Sequence, residues 1–594
     1  MSLLRKKRIF YLLLSFAAVL ALFALRIAWI QVASAFKAVT VSGKTINELA
    51  VRQREESIEL DPGRGHILDR NGKMLTGEIG WTPILFPIRQ LPAADQLTGL
   101  AAALGTTIPE LQKKWEQLER PYVWPKPGGE PGEPLRLNEE TARTLPRLEG
   151  LEVLPYMTRY GPGERGNQWL GFVTQRPDVI RKLREEKHQP NFALTLQVGA
   201  SGLEKTLDNL LRGIGGVRAA YTVDGRKDPL AGMGTRVNAE SSRYYPLQIQ
   251  TTVDDTLQQK IEGLAKEMNV TDGAVVVLDA KTADIVSMVS LPFYDPHHVN
   301  PSADNWSNKA VKASVPGSIF KTVIAAAALE EKVTVPGEVF HCSGHYGKYG
   351  LSCWKEGGHG DLTLEEGFAH SCNVVFATLG ERLSAEAIAR TAAKLGLGRS
   401  VSWHDPSFLG GDSLRPLDQE EAGAVFSNLA AADGGVRAQT AIGQRDVLVS
   451  PLQAANLVVT LLHGGQVMAP RLVSEIRYKD GSLLSALPVQ ASPSSAGQIT
   501  PQTAQRLLSM MRLVVTDGTG RTVQQANWPL AGKSGTAEVV KNQKQLNHQW
   551  FIGYGPIHQP KYAVAVLVQN RPEGSKHLAA EMFRRTMDIL AAEG

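Results

Sequence analysis

Cysteine is scarce in this sequence: Cys342, Cys353 and Cys372 are the only three in 594 residues, all within one short segment. An odd and small number excludes a disulfide framework as the source of the fold. Charge of one sign is also missing, with 64 Lys and Arg against 59 Asp and Glu, a net charge of +5. That balance gives no electrostatic case for binding nucleic acid. A small basic excess suits an anionic polymer or a membrane surface. Long apolar runs are absent beyond the first 32 residues, so a second bilayer crossing is not expected. No repeat at a fixed period is present, which excludes solenoid and propeller architectures. With 43% hydrophobic and 21% charged residues, the remainder has an ordinary globular composition, long enough for two to four domains.

The one apolar run comes first. Arg5-Lys6-Lys7-Arg8 precedes Ile9 to Leu25, and Ile27 to Val32 extends the run past Arg26. Its length approaches the ~20 residues that cross ~30 Å of hydrocarbon, with Arg26 able to snorkel to an interface. The basic cluster predicts a cytoplasmic tail over residues 1–8, a transmembrane anchor over 9–32 and everything later outside. Ala33-Ser34-Ala35 resembles a cleavage site, which makes a removed signal peptide the rival reading. The length of the run favours the anchor.

Arg64 to Leu75 reads as a strand, an Asn71-Gly72 turn and a second strand. Pro125 to Pro134 is a proline- and glycine-rich loop between the helical patterns of Glu110 to Glu119 and Asn138 to Thr144. The texture changes near Tyr245-Pro246, the predicted boundary between residues 33–245 and 246–594. Beyond it come a strand at Ile249 to Val253, a helix at Thr256 to Met268, and two β-rich runs, Gly273 to Leu278 and Ile285 to Leu291. Strand-like runs return only at Leu530 to Val540, Gln549 to Gly555 and Tyr562 to Asn570, before an amphipathic helix over 577–592. Two strands, a long helical insertion, three strands and a helix predict an α+β fold with a five-stranded antiparallel sheet and helices packed on it.

The chemistry is concentrated in Pro316-Gly317-Ser318-Ile319-Phe320-Lys321, followed by the alanine-rich run to Leu329. This sequence places Ser318 at or beside a helix N-terminus, with Lys321 three residues on, within side-chain reach. A serine hydroxyl is a poor nucleophile alone, and a desolvated lysine with a lowered pKa can take its proton. One S-x-x-K is a cheap motif. Here it is followed by Ser371-Cys372-Asn373 and then Lys533-Ser534-Gly535-Thr536. The order S-x-x-K, S-x-N, K-[ST]-G resembles that of class B penicillin-binding proteins, monofunctional D,D-transpeptidases of cell-wall synthesis. Arg64-Gly65-His66-Ile67-Leu68-Asp69-Arg70 and Gly202-Leu203-Glu204-Lys205 resemble boxes of that family's non-catalytic pedestal, with Arg64, Asp69, Arg70 and Glu204 as structural ion-pair candidates. Gly443-Gln444, Ser450-Pro451-Leu452-Gln453, Gly518-Thr519-Gly520 and Trp550 to Tyr554 also resemble family segments, read as structural. No glycosyltransferase signature precedes the catalytic motifs, which excludes the bifunctional class.

The resemblance implies a penicillin-binding transpeptidase domain over 246–594, an elongated dimerisation-type pedestal over 33–245, and an extracytoplasmic site on a single-pass membrane protein. It implies Ser318 as nucleophile, Lys321 as general base and Ser371 as proton relay. Lys533 would keep the site electropositive, and Asn373 would hold Lys321 and a substrate amide. Ser534, Gly535 and Thr536 would bind the substrate's carboxylate end, and the N–H groups of Ser318 and Thr536 would form the oxyanion hole. Expected partners are peptidoglycan stem peptides, β-lactams, the membrane and a glycosyltransferase, with no nucleic acid. No cofactor is expected for catalysis.

Cys342, Cys353, His359 and Cys372 could form a closed structural zinc site, as the resemblance to some elongation-type members also implies. His341, His345 or His370 could replace one ligand. A Cys342–Cys353 disulfide and three free thiols are the other readings. For the activity, the alternatives are a β-lactamase, a β-lactam sensor and a non-catalytic scaffold of the same fold.

Overall fold

The computed structural model describes residues 3–34, 54–130, 132–186, 194, 196–212, 215–230, 232–239 and 242–593. Ala35 and Pro131, which belong to segments read above, lie outside them. Helix α1, Leu3–Ala28, runs on through a π-helical turn at Trp29–Ser34. Leu3–Val32 has mean hydropathy 2.3 and no buried residue, and among the described residues it is the one helix long and apolar enough to cross a membrane.

The chain divides into two compact units. One comprises residues 1–63, 79–157 and 215–241. In it, strands Glu55–Asp61, Val217–Thr222 and Arg236–Ala239 make one antiparallel sheet, and Glu78–Leu85 lies at the centre of another. Its helices Ala94–Leu104 and Ile108–Glu116 bury Leu97, Leu100, Leu104, Leu111 and Trp115 in a common core with Leu85. Thr107 and Glu110 form a capping box at the second helix, each satisfying the other's backbone N–H.

The second unit comprises residues 64–78, 158–214 and 242–594. Its sheet has strands β1 (Gly273–Asp279), β2 (Ile285–Leu291), β3 (Ala531–Lys541), β4 (Lys544–Gly555) and β5 (Tyr562–Pro572), in the antiparallel order β2-β1-β5-β4-β3. The strands read as continuous apolar runs because both faces are covered. Ala274, Val276, Leu278, Trp550, Ile552, Ala565 and Leu567 face one core. Their neighbours Val275, Val277, Phe551, Val564 and Val566 face the other. This alternation is the period-2 geometry of a strand. The second core is closed by α2 (Asp255–Glu267) and α8 (Leu578–Glu593), through Ile261, Leu264, Phe583 and Met587.

The first core holds α3 (Lys321–Glu330), in which every residue from Lys321 to Ala328 is buried. A helix apolar on all sides belongs in an interior. Its four consecutive alanines let α5 (Asn373–Arg382), α6 (Ala385–Lys394) and α7 (Pro501–Thr516) close around it.

Three local expectations change. The hairpin expected at 64–75 keeps its turn, but its second strand is a single bridge between Leu68 and Met74. The first strand, His66–Leu68, instead pairs parallel with Gln248–Thr251. Strand β4 begins five residues before Gln549: Lys544 to His548, polar except for Leu546, pair with Ala537 to Lys541 of β3, most of which is exposed. Of the four ion-pair candidates, Arg64 and Glu204 pair at 2.7 Å, and Arg159 adds a second bond to buried Glu204 at 2.6 Å. Asp69 instead accepts the N–H groups of Asn71 and Lys73, both at 2.8 Å, and Arg70 makes no ion pair among the described residues.

Candidate functional site

The Ser318 segment begins as a 3-10 turn, Gly317–Phe320, before α3 takes over at Lys321. Gly317 has φ +56, a left-handed backbone that strains other residues. A Cβ there would lie 2.2 Å from the Thr536 carbonyl oxygen, so only glycine lets the turn lie against β3. Gly535 is pressed from the opposite side, since a Cβ on it would lie 2.9 Å from the Pro316 oxygen. Trp550 on β4 donates its indole N–H to the Val315 carbonyl at 2.9 Å, fixing the approach to the turn. Ser318 is half-buried, and its hydroxyl makes no hydrogen bond among the described residues.

The side chain of Lys321 runs into the interior. Its Nζ is fully buried and donates to the Ser371 carbonyl at 2.7 Å and to Asn373 Oδ1 at 2.8 Å, with Ser371 Oγ at 3.3 Å. Lys533 is also fully buried, with Nζ 3.0 Å from Ser371 Oγ and 3.0 Å from the Ser534 carbonyl. Two lysine amines therefore converge on one hydroxyl. Burial pushes the Lys321 amine down to about 7, although Cys372 and Cys353 nearby oppose the shift. Burial, with Lys321 as a like-charged neighbour, pushes Lys533 well below the usual lysine range. Both shifts come mainly from desolvation, which penalises the charged form.

Ser371 has φ +54, an uncommon conformation for a residue with a side chain. It sits between α4 (Leu364–Ala369) and α5, so its Oγ reaches both lysines. Asn373, the first residue of α5, accepts from Lys321 and donates Nδ2 to the Ser352 carbonyl at 3.0 Å. Ser534 Oγ is 2.7 Å from Thr519 Oγ1, and Thr519 N–H donates to the Ala369 carbonyl at 3.1 Å. The Gly518-Thr519-Gly520 turn thus ties the loop carrying Ser371 to the strand carrying Ser534. Sequence reading gave Thr519 no place in the site, and its position in a turn beside two glycines offered no sign of one. The structure brings Lys321, Ser371, Asn373 and Lys533 into one hydrogen-bonded cluster, and Ser318, Gly535 and Thr536 into direct packing beside it.

Cys342, Cys353, His359 and Cys372 present ligand atoms that all lie within 4.8 Å of one another. His359 Nδ1 is 3.7 Å from Cys342 Sγ and 3.4 Å from Cys353 Sγ, and the Cys353 and Cys372 sulfurs are 3.9 Å apart. All three cysteines are free, so the Cys342–Cys353 disulfide is not formed. Ligand atoms about 3.4–3.8 Å apart are what a tetrahedral metal with ~2.3 Å sulfur and ~2.0 Å nitrogen bonds requires. The set fits a metal ion. Contact with the Cys372 sulfur pulls the Cys353 thiol below its ordinary range. Of the alternative ligands, His341 pairs with Asp361 at 2.7 Å, and His370 lies 3.8 Å from Asp517.

Comparison with known proteins gives one answer along the chain. Residues 273–588 match the penicillin binding protein transpeptidase domain family, and residues 59–243 match the penicillin-binding protein dimerisation domain. Stage V sporulation protein D of Bacillus subtilis is 29% identical, over 96% of this chain and 82% of its own length. Peptidoglycan D,D-transpeptidase PbpA of Mycobacterium tuberculosis is 28% identical, over 74% of this chain and 89% of its own. A solved peptidoglycan synthase complex, described as coordinating polymerization and crosslinking, contains a chain similar at TM-score 0.65 and 25% identity, covering 98% of this chain and 97% of that one.

Proposed function

Since this chain belongs to the penicillin-binding protein transpeptidase family, in its class B arrangement, we propose that it cross-links peptidoglycan stem peptides through an acyl-enzyme on Ser318. The observation that carries the reading is the Ser371 hydroxyl held between two buried lysines, beside a serine that no other side chain engages. Neutral Lys321 accepts the Ser318 proton as Oγ attacks the carbonyl between two D-alanines. The oxyanion forms against the N–H groups of Ser318 and Thr536, which the Gly317 and Gly535 contacts hold close together. Ser371 passes a proton to the leaving D-alanine amine, and Lys533 holds that hydroxyl in line. Asn373 fixes Lys321. Ser534 and Thr536 offer hydroxyls to the terminal carboxylate. An amine on a neighbouring stem peptide then attacks the ester, releasing Ser318 and forming the cross-link.

Cys342, Cys353, His359 and Cys372 would hold a structural zinc ion, contributing stability to the loop that carries Ser371 and Asn373. Arg5, Lys6, Lys7 and Arg8, in the first turns of α1, support a cytoplasmic N-terminus with the catalytic unit outside. The similarity to a synthase that polymerises and cross-links supports a glycosyltransferase as partner. β-Lactams would acylate Ser318 in place of the stem peptide.

The test is turnover of a synthetic stem pentapeptide ending in D-Ala-D-Ala, with and without an amine acceptor. The account expects release of D-alanine and an acceptor-dependent cross-linked product, both lost in Ser318→Ala. Release unaffected by that substitution would contradict it.

A further inference from the structure

His577 lies between β5 and α8, with no catalytic motif around it in the sequence. Its Nδ1 is 3.2 Å from the Ala580 N–H, and its Nε2 is 3.2 Å from the Gly535 carbonyl oxygen. The first contact requires Nδ1 to accept, so in the neutral ring the proton sits on Nε2 and is donated to Gly535. Burial lowers the pKa of the ring and favours that neutral form. The segment is also held by Gln549, on β4 opposite Thr536. Gln549 accepts the Leu578 N–H at 2.8 Å and donates to the Lys576 carbonyl at 3.1 Å. His577 is therefore fixed on two sides.

The carbonyl of Gly535 and the N–H of Thr536 belong to one peptide group. In a trans peptide the two point in opposite directions within one plane. A donor on the carbonyl therefore sets the direction of the N–H and, by polarising the amide, strengthens it as a donor. We propose that His577 is a positioning residue for the oxyanion hole, aiming and polarising the Thr536 N–H through the Gly535 carbonyl. The inference rests on the serine transpeptidase reading above, in which that N–H receives the oxyanion. His577 touches neither substrate nor reacting atoms.

The experiment measures acylation of the detergent-solubilised full chain by a fluorescent penicillin, separating the non-covalent dissociation constant from the acylation rate constant. His577→Phe keeps a ring and loses both polar contacts. His577→Asn keeps an acceptor near Ala580 but is too short for Gly535. His577→Gln restores a donor at the reach of Nε2. Removing an oxyanion donor outright costs about 10²–10³ in rate, so weakening one through its amide is expected to cost about tenfold. Phe and Asn should lower the acylation rate constant by about that factor with the dissociation constant unchanged, while Gln stays close to wild type. Wild-type rates in Phe and Asn would overturn the inference, as would equal losses in all three variants. Failure of the wild-type protein to form an adduct on Ser318 is separately visible, and would overturn the transpeptidase reading and this inference with it.

Discussion

At the scale of single residues, the site depends on amines kept out of water. Lys321 is useful as a base only while neutral, and burial brings its pKa down to about 7. The sign follows directly: below that value the amine is protonated and cannot accept the Ser318 proton, and above it the base form dominates. Acylation by a β-lactam should rise about tenfold per pH unit below pH 7 and level off above it, measured as rate constant against pH. A profile flat from pH 5 to 9 would remove Lys321 from the role. Gly317 is the second residue on which the geometry turns. In Gly317→Ala the new methyl would meet the Thr536 carbonyl, and the left-handed backbone would cost about 1 kcal/mol or more. Acylation should fall by at least tenfold in protein that still melts cooperatively.

At the scale of elements, much of the second unit was legible because its strands are buried on both faces and its helices are strongly patterned. Gly273 to Asp279, Ile285 to Leu291 and Tyr562 onward declare themselves by unbroken apolar content. What was not legible lies where polar groups choose partners across long sequence separations. Lys321 bonds residues 50 and 52 positions away, in preference to the serine one turn behind it. Thr519 reaches Ser534 from a turn with no periodic signal, and His577 reaches Gly535 from the first residue of the helix expected over 577–592, where helical periodicity says nothing of a polar partner. The start of β4 was hidden for the opposite reason, since its exposed residues carry no hydrophobic pattern.

Two predictions belong to this scale. Glu204 is fully buried between Arg64 and Arg159, so Glu204→Ala leaves the Arg159 guanidinium without its counter-charge and Arg64 with Asp208 alone. A loss of about 3–5 kcal/mol is expected in chemical denaturation. If the cysteines and His359 hold zinc, elemental analysis should find about one zinc per chain in protein purified without chelator. Cys353→Ser should lose most of it and lower the thermal midpoint, with acylation slowed because Ser352 and Cys372 flank Asn373 contacts. Full metal-free protein with three titratable thiols and unchanged activity would leave the cluster without a metal role.

At the scale of the whole molecule, the chain is an apolar helix followed by two compact units, and each was signalled by a different property of the sequence. The helix shows as the one long apolar run, and every described residue of it is exposed, as expected of a segment whose solvent is lipid. Protein beginning at residue 54 should remain soluble without detergent while keeping β-lactam acylation. The family came from three short motifs, which the fold gathers from positions more than 200 residues apart onto one helix turn, one loop and one edge strand. The measurement that bears most directly on the central claim is the site of covalent labelling. Intact protein and Ser318→Ala would each be treated with a penicillin, digested, and mapped by mass spectrometry. The account predicts a stable adduct on Ser318 and none in the variant. A stable adduct on another residue, or folded wild-type protein that takes no label, would contradict it.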